Sequence, residues 1–243
     1  MQITILTATH NSEKNIATCL DSIWGQSHKN IEHLVMDGNS IDDTLSIVST
    51  YPESKIVSRQ DNGLYDALNK GFQNATGEII GFLHSDDQFV NKDVLSQISL
   101  FFESNPDVDA VCADSIFIDT TGKTNRHCSS KKFKFNDFKY GKMIAHTSFF
   151  ARKKIYLEYQ FNTQYRLAAD FDQILRIYQS EKFNIQYIPM ITTKMLIGGM
   201  SNVNYKARVI SNREIYLSCK RNNLKTNYFF IYSKYFSKIF EYL

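Results

Sequence analysis

The chain has 243 residues, of which 43% are hydrophobic and 22% charged, so it is long enough to bury one large core. The formal net charge is only +3 and no basic stripe lies outside the last two dozen residues, which argues against nucleic-acid binding. No segment approaches the about 18 consecutive apolar residues of a membrane span, and the N-terminus lacks a basic leader. We therefore expect a protein that is neither exported nor embedded in the membrane.

Strand and helix patterns alternate through the first hundred residues. In chain order, we expect strands at 3–9, 31–37, 55–58 and 78–84, and helices at 12–26, 42–51, 64–75 and 93–103. Alternation at this spacing predicts an α/β fold built on a single doubly wound, mostly parallel sheet.

The pattern loosens in the second half of the chain. A longer strand is expected at 109–119, a hairpin turn at 120–123 and a helix at 169–180. No repeat or linker interrupts the sequence. We therefore expect one domain over residues 1–218 and a C-terminal extension over residues 219–243.

The extension carries all of the positive excess and has the pattern of an amphipathic helix. Its apolar side chains fall at helical spacing: Ile231, Tyr232, Tyr235, Phe236, Ile239, Phe240 and Leu243. Lys234 and Lys238 are expected on the opposite, polar face. A basic, aromatic helix of this kind is typical of membrane-surface contact through residues 228–243. The alternative is a helix that packs on its own domain or on a second subunit.

Polar side chains follow each predicted parallel strand. They are Thr7 and Thr9, then Asp37, then Arg59 and Asp61, then Asp86 and Asp87. Because the carboxyl ends of parallel strands meet at one edge, these residues are expected to share a ligand site. The alternative for any single Asp is that its side chain only hydrogen-bonds the backbone of its own turn. Carboxylates there suit Mg²⁺ or Mn²⁺ bound to phosphate. The absence of a P-loop and of a G-x-G-x-x-G turn excludes ATP hydrolysis and nicotinamide chemistry.

Six segments form an ordered series. They are Thr-Ala-Thr-His-Asn (7–11), Leu-Val-Met-Asp-Gly-Asn-Ser-Ile-Asp-Asp-Thr (34–44), Asp-Asn-Gly-Leu-Tyr-Asp-Ala-Leu-Asn-Lys-Gly (61–71), Ala-Thr-Gly-Glu-Ile-Ile-Gly-Phe-Leu-His-Ser-Asp-Asp (75–87), Ile-Ala-His-Thr (144–147) and Ala-Asp-Phe-Asp (169–172). The series resembles the family 2 glycosyltransferases of the nucleotide-diphospho-sugar transferase fold, known as GT-A. The resemblance implies a nucleotide-binding half over residues 1–105 and an acceptor-binding half over residues 106–218.

The resemblance also implies an activity. It is the metal-dependent, inverting transfer of a hexose or N-acetylhexosamine from a UDP-sugar to a hydroxyl of a saccharide acceptor. In similar short bacterial enzymes the acceptor is carried on a lipid diphosphate, in the synthesis of surface polysaccharides such as O-antigen or capsule. Such a protein is cytoplasmic and peripheral on the inner face of the cytoplasmic membrane.

Residue roles follow from the matched motifs. Those implied for the nucleotide are Thr7, Asp37, Arg59, Asp61 and Ser85. His84-Ser85-Asp86 stands where the family has Asp-x-Asp, so Asp86 is the implied ligand of Mn²⁺ or Mg²⁺ and the histidine is a departure.

Asp170 matches the family's catalytic base, and its alternative role is to cap a helix. Asp172 is two residues further on, so a helix directs it roughly 200° away. The residues expected on the acceptor or donor-sugar side are Tyr65, Asn69, Asp87, His146 and Asp172. A structural role is the alternative for His146.

Two other functions remain open at this stage. A non-catalytic nucleotide-sugar-binding subunit is suggested by His84 in place of an acid. A sugar nucleotidyltransferase would carry a glycine-rich basic loop after the first strand, where this chain has Ala-Thr-His-Asn-Ser at 8–12.

Overall fold

The structure is a computed structural model that describes residues 1–58, 63–197 and 205–238. The strands are Ile3–Thr9 (β1), Ile31–Asp37 (β2), Ser54–Ser58 (β3), Ile79–Phe82 (β4), Asp87–Phe89 (β5), Ala110–Ile118 (β6), Thr124–Cys128 (β7), Phe149–Arg152 (β8) and Ile185–Leu196 (β9). The α-helices are Ile16–Trp24 (α1), Thr44–Ser49 (α2), Leu64–Asn74 (α3), Val94–Ser104 (α4), Lys153–Glu158 (α5), Ala169–Gln179 (α6), Tyr205–Arg221 (α7) and Tyr228–Lys238 (α8). Short 3₁₀ helices cover Phe135–Tyr140 and His146–Ser148.

The first half of the sheet is parallel. β1 is buried at every residue, and it pairs in parallel with β2 on one side and β4 on the other. β3 pairs in parallel with β2. A strand that is apolar on both faces is typical of a parallel sheet covered by helices on both sides. The register sets Thr9 opposite Asp37, so β1 and β2 end level with one another.

The second half of the sheet mixes directions. β8 pairs antiparallel with both β4 and β6, while β9 runs parallel to β6 and antiparallel to β5. The sheet order is β3-β2-β1-β4-β8-β6-β9-β5, and β7 pairs with β6. The expected α/β fold with a mostly parallel sheet is confirmed, and so is the β6–β7 hairpin.

The main differences from the expected elements are β5, β8 and β9. β5 and β8 have only three and four residues, which is too short for a periodic signal in the sequence. β9 is longer, at twelve residues, but most of its side chains are half-buried and give no clean alternation.

The C-terminal helices pack on the second half of the domain. α7 continues without a break through the expected boundary at 218/219. On α8, Ile231 is fully buried and Lys234 is only 8% exposed, so Lys234 lies on the packed side rather than on the expected polar face. Phe229 remains 78% exposed. Residues 239–243 of the expected amphipathic helix lie outside the described residues.

No helix in the described part of the chain is long and apolar enough to cross a membrane.

Candidate active site

A cleft of about 1490 Å³ opens where the parallel strands end. Its walls come from the segments that follow β1, β2 and β4, from the first turns of α3 and α6, and from one side of α7 and α8. Seven residues expected from the sequence line it: Thr9, Tyr65, Ser85, Asp86, Asp87, His146 and Asp170. Four others lie outside its lining: Thr7, Asp37, Asn69 and Asp172. Arg59 and Asp61 lie outside the described residues.

Thr7 lies outside the cleft lining, and its side chain contacts His33 on β2. Its Oγ1 lies 2.9 Å from Nε2 of His33, whose Nδ1 lies 2.9 Å from Oγ of Ser54. Burial lowers the pKa of His33 to about 3, so this imidazole is neutral. The end of β1 therefore reaches the cleft through Ala8 and Thr9.

Asp37 organises the turn that follows β2. Its carboxylate accepts hydrogen bonds from the N–H of Asn39 at 3.0 Å, the N–H of Ser40 at 3.1 Å and the hydroxyl of Ser40 at 2.6 Å. Asn39 has a φ of 67°, a left-handed conformation that Asn tolerates better than most residues. The turn places Gly38 and Asn39 in the cleft wall.

The segment after β4 is joined to the segment after β1. Oγ of Ser85 lies 2.8 Å from Oγ of Ser12, and Ser12 lines the same cleft. Asp86 and Asp87 follow. Asp87 is buried, and burial raises its pKa well above the usual value, with the negative charge of Asp86 adding to the shift.

The donor set for a metal ion is small. In the part of the chain that the structure describes, no group of three or more His, Cys, Asp or Glu side chains could hold a metal ion. A hard divalent cation in this cleft would therefore take Asp86 as a protein ligand and complete its shell with phosphate oxygens and water, which such cations accept. The residues present fit a cation that is held together with a phosphorylated ligand.

His84, the residue in place of the family's first acid, belongs to an aromatic column. Its ring stacks on that of His146 at 6.1 Å between centroids, and His146 lies 3.9 Å from Phe82. Burial lowers the pKa of His84, and the charge of Asp86 opposes the shift. Burial also lowers the pKa of His146, well below its usual value, with His84 adding to the shift. The column is thus uncharged at neutral pH.

Asp170 lies in the first turn of α6 and faces the cleft. Burial raises its pKa to about 6, while the N–H of Phe171, which donates to Oδ1 at 2.8 Å, opposes the rise. Hydrogen bonding by the Tyr65 hydroxyl also opposes the rise in this pKa. A carboxylate of this pKa is ionised at pH 7 and is a stronger base than an ordinary aspartate.

Asp172 faces away from the cleft. It is 2% exposed and accepts from Nε of Arg176 at 2.7 Å and from the hydroxyl of Ser218 at 2.7 Å. The second contact joins α6 to α7. The structure therefore separates the two aspartates as helical spacing predicts.

Asn69 anchors a distant loop. Its amide donates to the carbonyl of Phe161 at 2.9 Å and accepts from the N–H of the same residue at 2.8 Å. Tyr65, one turn earlier on α3, packs its ring against Phe161 at 5.1 Å between centroids. Asn69 thus supports the chain that leads towards α6 without lining the cleft.

Sequence reasoning missed two features of the site. Basic side chains line the half of the cleft formed by the second part of the chain: Arg126, Lys132, Lys142, Arg166, Arg208 and Lys234. Arg208, Ser211 and Ile215 all line the cleft from α7, and their helical spacing could have indicated a lining face. The other missed residue is Glu214, whose contacts with the start of α6 carry no signal in the sequence.

Comparison with known proteins gives a consistent assignment. The model of the family "Glycosyl transferase family 2" matches residues 4–161. The "PGL/p-HBAD biosynthesis glycosyltransferase" of Mycobacterium bovis is 29% identical over 205 residues, covering 82% of this chain and 78% of that protein. The "Putative glycosyltransferase EpsH" of Bacillus subtilis is 31% identical over 126 residues, or 50% of this chain and 36% of that protein.

Solved structures share the fold. TarS of S. aureus in complex with UDP-GlcNAc has a TM-score of 0.72 at 20% identity, covering 90% of this chain and 66% of that one. The mannosyltransferase PcManGT from Pyrobaculum calidifontis has a TM-score of 0.68 at 18% identity, covering 93% and 65%. This chain thus spans slightly less than two thirds of either. Since the family model matches more than half of the sequence, the chain belongs to glycosyl transferase family 2 and is a glycosyltransferase with a GT-A fold.

Proposed function

We propose that the protein transfers a hexose or N-acetylhexosamine from a UDP-sugar to a hydroxyl of a saccharide acceptor, with inversion at the anomeric carbon. The observation that carries the proposal is the position of Asp170. This carboxylate faces the same cleft as Asp86, and burial raises its pKa to about 6. An ionised carboxylate with raised basicity is the group that a proton-abstracting base requires at neutral pH.

The nucleotide is assigned to the segments that follow β1, β2 and β4. Thr7 lies near the end of β1, whose main chain would line the nucleotide pocket. Asp37 holds the turn after β2 in place through its hydrogen bonds. Ser85 joins the segment after β4 to Ser12, after β1. Arg59 and Asp61 keep the nucleotide role that the family resemblance implies. The choice of UDP is supported by the similar structures of TarS in complex with UDP and with UDP-GlcNAc, whereas PcManGT is in complex with GDP-Man.

Asp86 is the proposed ligand of Mn²⁺ or Mg²⁺. PcManGT and a Mycobacterium tuberculosis glucosyl-3-phosphoglycerate synthase are both described with Mn²⁺, which supports a divalent cation. When bound, the cation neutralises negative charge on the departing diphosphate. Asp87 is the first residue of β5 and directly follows Asp86, so its pairing in the sheet fixes the main chain next to the proposed ligand. Burial and the charge of Asp86 raise the pKa of Asp87.

Asp170 performs the proton transfer. The acceptor hydroxyl oxygen attacks the anomeric carbon from the face opposite the diphosphate, and its bond to carbon forms as the bond from carbon to the phosphate oxygen breaks. The hydroxyl proton passes to Asp170, which afterwards releases it to water. Tyr65, which lines the cleft beside this carboxylate and lowers its pKa, orients it for the transfer. His146 forms part of the uncharged floor beside the reacting sugar.

The basic half of the cleft suits a phosphorylated acceptor. Lys132, Lys142, Arg166 and Arg208 line it together, and clustered cations favour a multiply charged anion. We therefore assign the acceptor as a saccharide carried on a lipid diphosphate, in the synthesis of a surface polysaccharide such as O-antigen or capsule. The exposed aromatic rings of α8 would hold the protein to the inner face of the membrane.

The alternative of a non-catalytic nucleotide-sugar-binding subunit is favoured by one observation, the histidine at position 84. The stacking of His84 on His146 gives that histidine a packing role that leaves Asp86 in the cleft, so the substitution does not require loss of activity.

The test is release of nucleoside diphosphate from a panel of nucleotide sugars, with Mn²⁺ or Mg²⁺ and with and without a lipid-diphosphate acceptor. We expect release from one donor, strictly dependent on metal, and its loss in Asp86→Ala and in Asp170→Asn. Asp107→Asn is the matched control, because this carboxylate is exposed, lies outside the cleft lining and bonds the amide of Asn184. Nucleotide binding without release from any donor would favour the non-catalytic subunit.

A further inference from the structure

Glu214, in the middle of α7, bonds three consecutive backbone N–H groups of another segment. Its Oε1 accepts from the N–H of Arg166 at 2.9 Å. Its Oε2 accepts from Leu167 at 2.8 Å and from Ala168 at 3.0 Å. These residues lead directly into α6, whose first N–H groups have no partner within the helix. A side chain from a different helix therefore fixes the path by which the chain enters α6.

The start of α6 has no side-chain cap of its own. The N-cap residue is Ala168, which makes no capping hydrogen bond. Ser, Thr, Asp and Asn are preferred at this position because their side chains satisfy the free N–H groups. A carboxylate near a helix N-terminus is also favoured by the helix dipole. Glu214 supplies the negative charge and bonds the N–H of the N-cap residue Ala168 together with those of the two residues before it, and Asp170 follows the bonded segment by two residues.

Glu214 does not itself line the cleft, whereas Asp170 does. Glu214 therefore acts on the cleft through the segment 166–168 that it bonds, and this segment ends two residues before Asp170. We propose that Glu214 is the positioning residue for the catalytic base: by holding the main chain of residues 166–168, it directs the Asp170 carboxylate into the cleft. The inference rests on the proposed function, in which Asp170 takes the proton of the acceptor hydroxyl.

The negative charge of Glu214 also affects the pKa of Asp170, which can be measured independently of activity. The groups that face Asp170 are Tyr65 from α3, Glu214 from α7 and the N–H of Phe171 in its own helix. The hydrogen bonds from Tyr65 and Phe171 lower the pKa of Asp170, while burial and the negative charge of Glu214 raise it. Removing that charge should therefore move the pKa of Asp170 downwards.

The test compares Glu214→Gln with Ser218→Ala in the full chain. Gln keeps the size of the side chain but replaces one accepting oxygen by an amide nitrogen and removes the charge. Ser218→Ala removes the 2.7 Å hydrogen bond to Asp172, so it loosens the contact between α6 and α7 one turn away while Glu214 stays intact. Both variants are assayed by nucleoside diphosphate release against pH, by UDP binding, and by carboxyl ¹³C NMR titration of Asp170.

We expect Glu214→Gln to lower kcat by about 10- to 100-fold, the range produced by small misplacements of catalytic groups, with UDP binding unchanged. The acid limb of the pH–rate profile and the NMR titration of Asp170 should both move to lower pH. Ser218→Ala should retain wild-type kcat and profile.

A wild-type kcat and an unmoved Asp170 titration in Glu214→Gln would overturn the inference. An equal loss in Ser218→Ala would also overturn it, because helix contact in general would then be responsible. Full activity of Asp170→Asn is a different result that removes the proposed base. If no donor is turned over, the NMR titration alone decides whether Glu214 acts on Asp170.

Discussion

Tyr65 and Asp170 line the same cleft from the first turns of different helices, α3 and α6, and hydrogen bonding by the Tyr65 hydroxyl lowers the pKa of the Asp170 carboxyl. The phenol ring packs against Phe161, and Asn69 on the same helix holds the main chain of that residue. The position of the proposed base is therefore set from two sides, by α3 through Tyr65 and by α7 through Glu214.

Removing the Tyr65 hydroxyl should make Asp170 harder to ionise. The hydrogen bond stabilises the charged carboxylate, so Tyr65→Phe should raise the pKa of Asp170 further above about 6. The base must be ionised to work, so the acid limb of the pH–rate profile should move to higher pH, with activity recovered in alkaline buffer. Tyr187→Phe is the control, since it removes a hydroxyl bonded to Asp114 at 3.2 Å, outside the cleft. An acid limb that stays in place would exclude this contact.

Asp170→Asn should stabilise the folded protein above pH 6 even as it abolishes transfer. The folded pKa of about 6 exceeds the ordinary 3.8, so the wild-type protein loses stability as pH rises between these values. The asparagine variant has no such loss, and its advantage should reach on the order of 1–3 kcal/mol at pH 8 and vanish near pH 4. Urea unfolding at the two pH values measures it. The same difference at both would show that burial does not perturb this carboxyl.

Gly81→Ala should destabilise the junction between the parallel and antiparallel halves of the sheet. A Cβ at this residue of β4 would lie 2.4 Å from Cε1 of Phe150 on β8, and both are buried in the core. Overpacking of this kind costs about 1–3 kcal/mol in the free energy of unfolding. A double-mutant cycle with Phe150→Leu should recover part of the loss, because the smaller side chain leaves room. Independent, additive effects would contradict the steric explanation.

The exposed rings of α8 should govern membrane association. Phe229 and Tyr232 are 78% and 41% exposed, next to a basic segment that includes Lys225. The double variant Phe229→Ser, Tyr232→Ser should bind vesicles of anionic phospholipid at least about tenfold more weakly, because two aromatic anchors are lost. Tyr205→Ser is the matched control, an exposed aromatic residue at the start of α7. Equal vesicle binding by all three proteins would remove the membrane role of α8.

The parallel half of the fold could be predicted because its strands are buried on both faces and rich in β-branched and other apolar residues, and because helical patterns separate them along the chain. The opposite directions of Asp170 and Asp172 follow from helix geometry alone. Helix geometry also puts Asn69 on the same side as Tyr65, but it cannot show that the main chain of Phe161 packs over it. The periodicity of the sequence describes each helix or strand separately. These contacts depend instead on which segments, distant in the sequence, pack against one another in the fold.

Lys234 and Glu214 show the same limit. The charge of Lys234 suggested a solvent-facing position, yet this residue is buried, with its Nζ close to Gly141. The described partners of Glu214 are backbone N–H groups, which every residue except proline carries, so no residue pattern marks them. The complete set of metal ligands and the identity of the sugar were also not predictable from the sequence. Both depend on groups that belong to the bound substrate.

The hydrogen bonds between Glu214 and residues 166–168 also have a consequence for folding during synthesis. Synthesis proceeds from the N-terminus and domains fold as their chain emerges, so β1 to β4 can pair before α7 exists. The segment before Asp170 cannot receive its three hydrogen bonds until residue 214 has left the ribosome. A nascent chain would thus present a nearly complete donor-binding half while its proposed base is still unplaced, and catalytic competence would arrive only once α7 has been made.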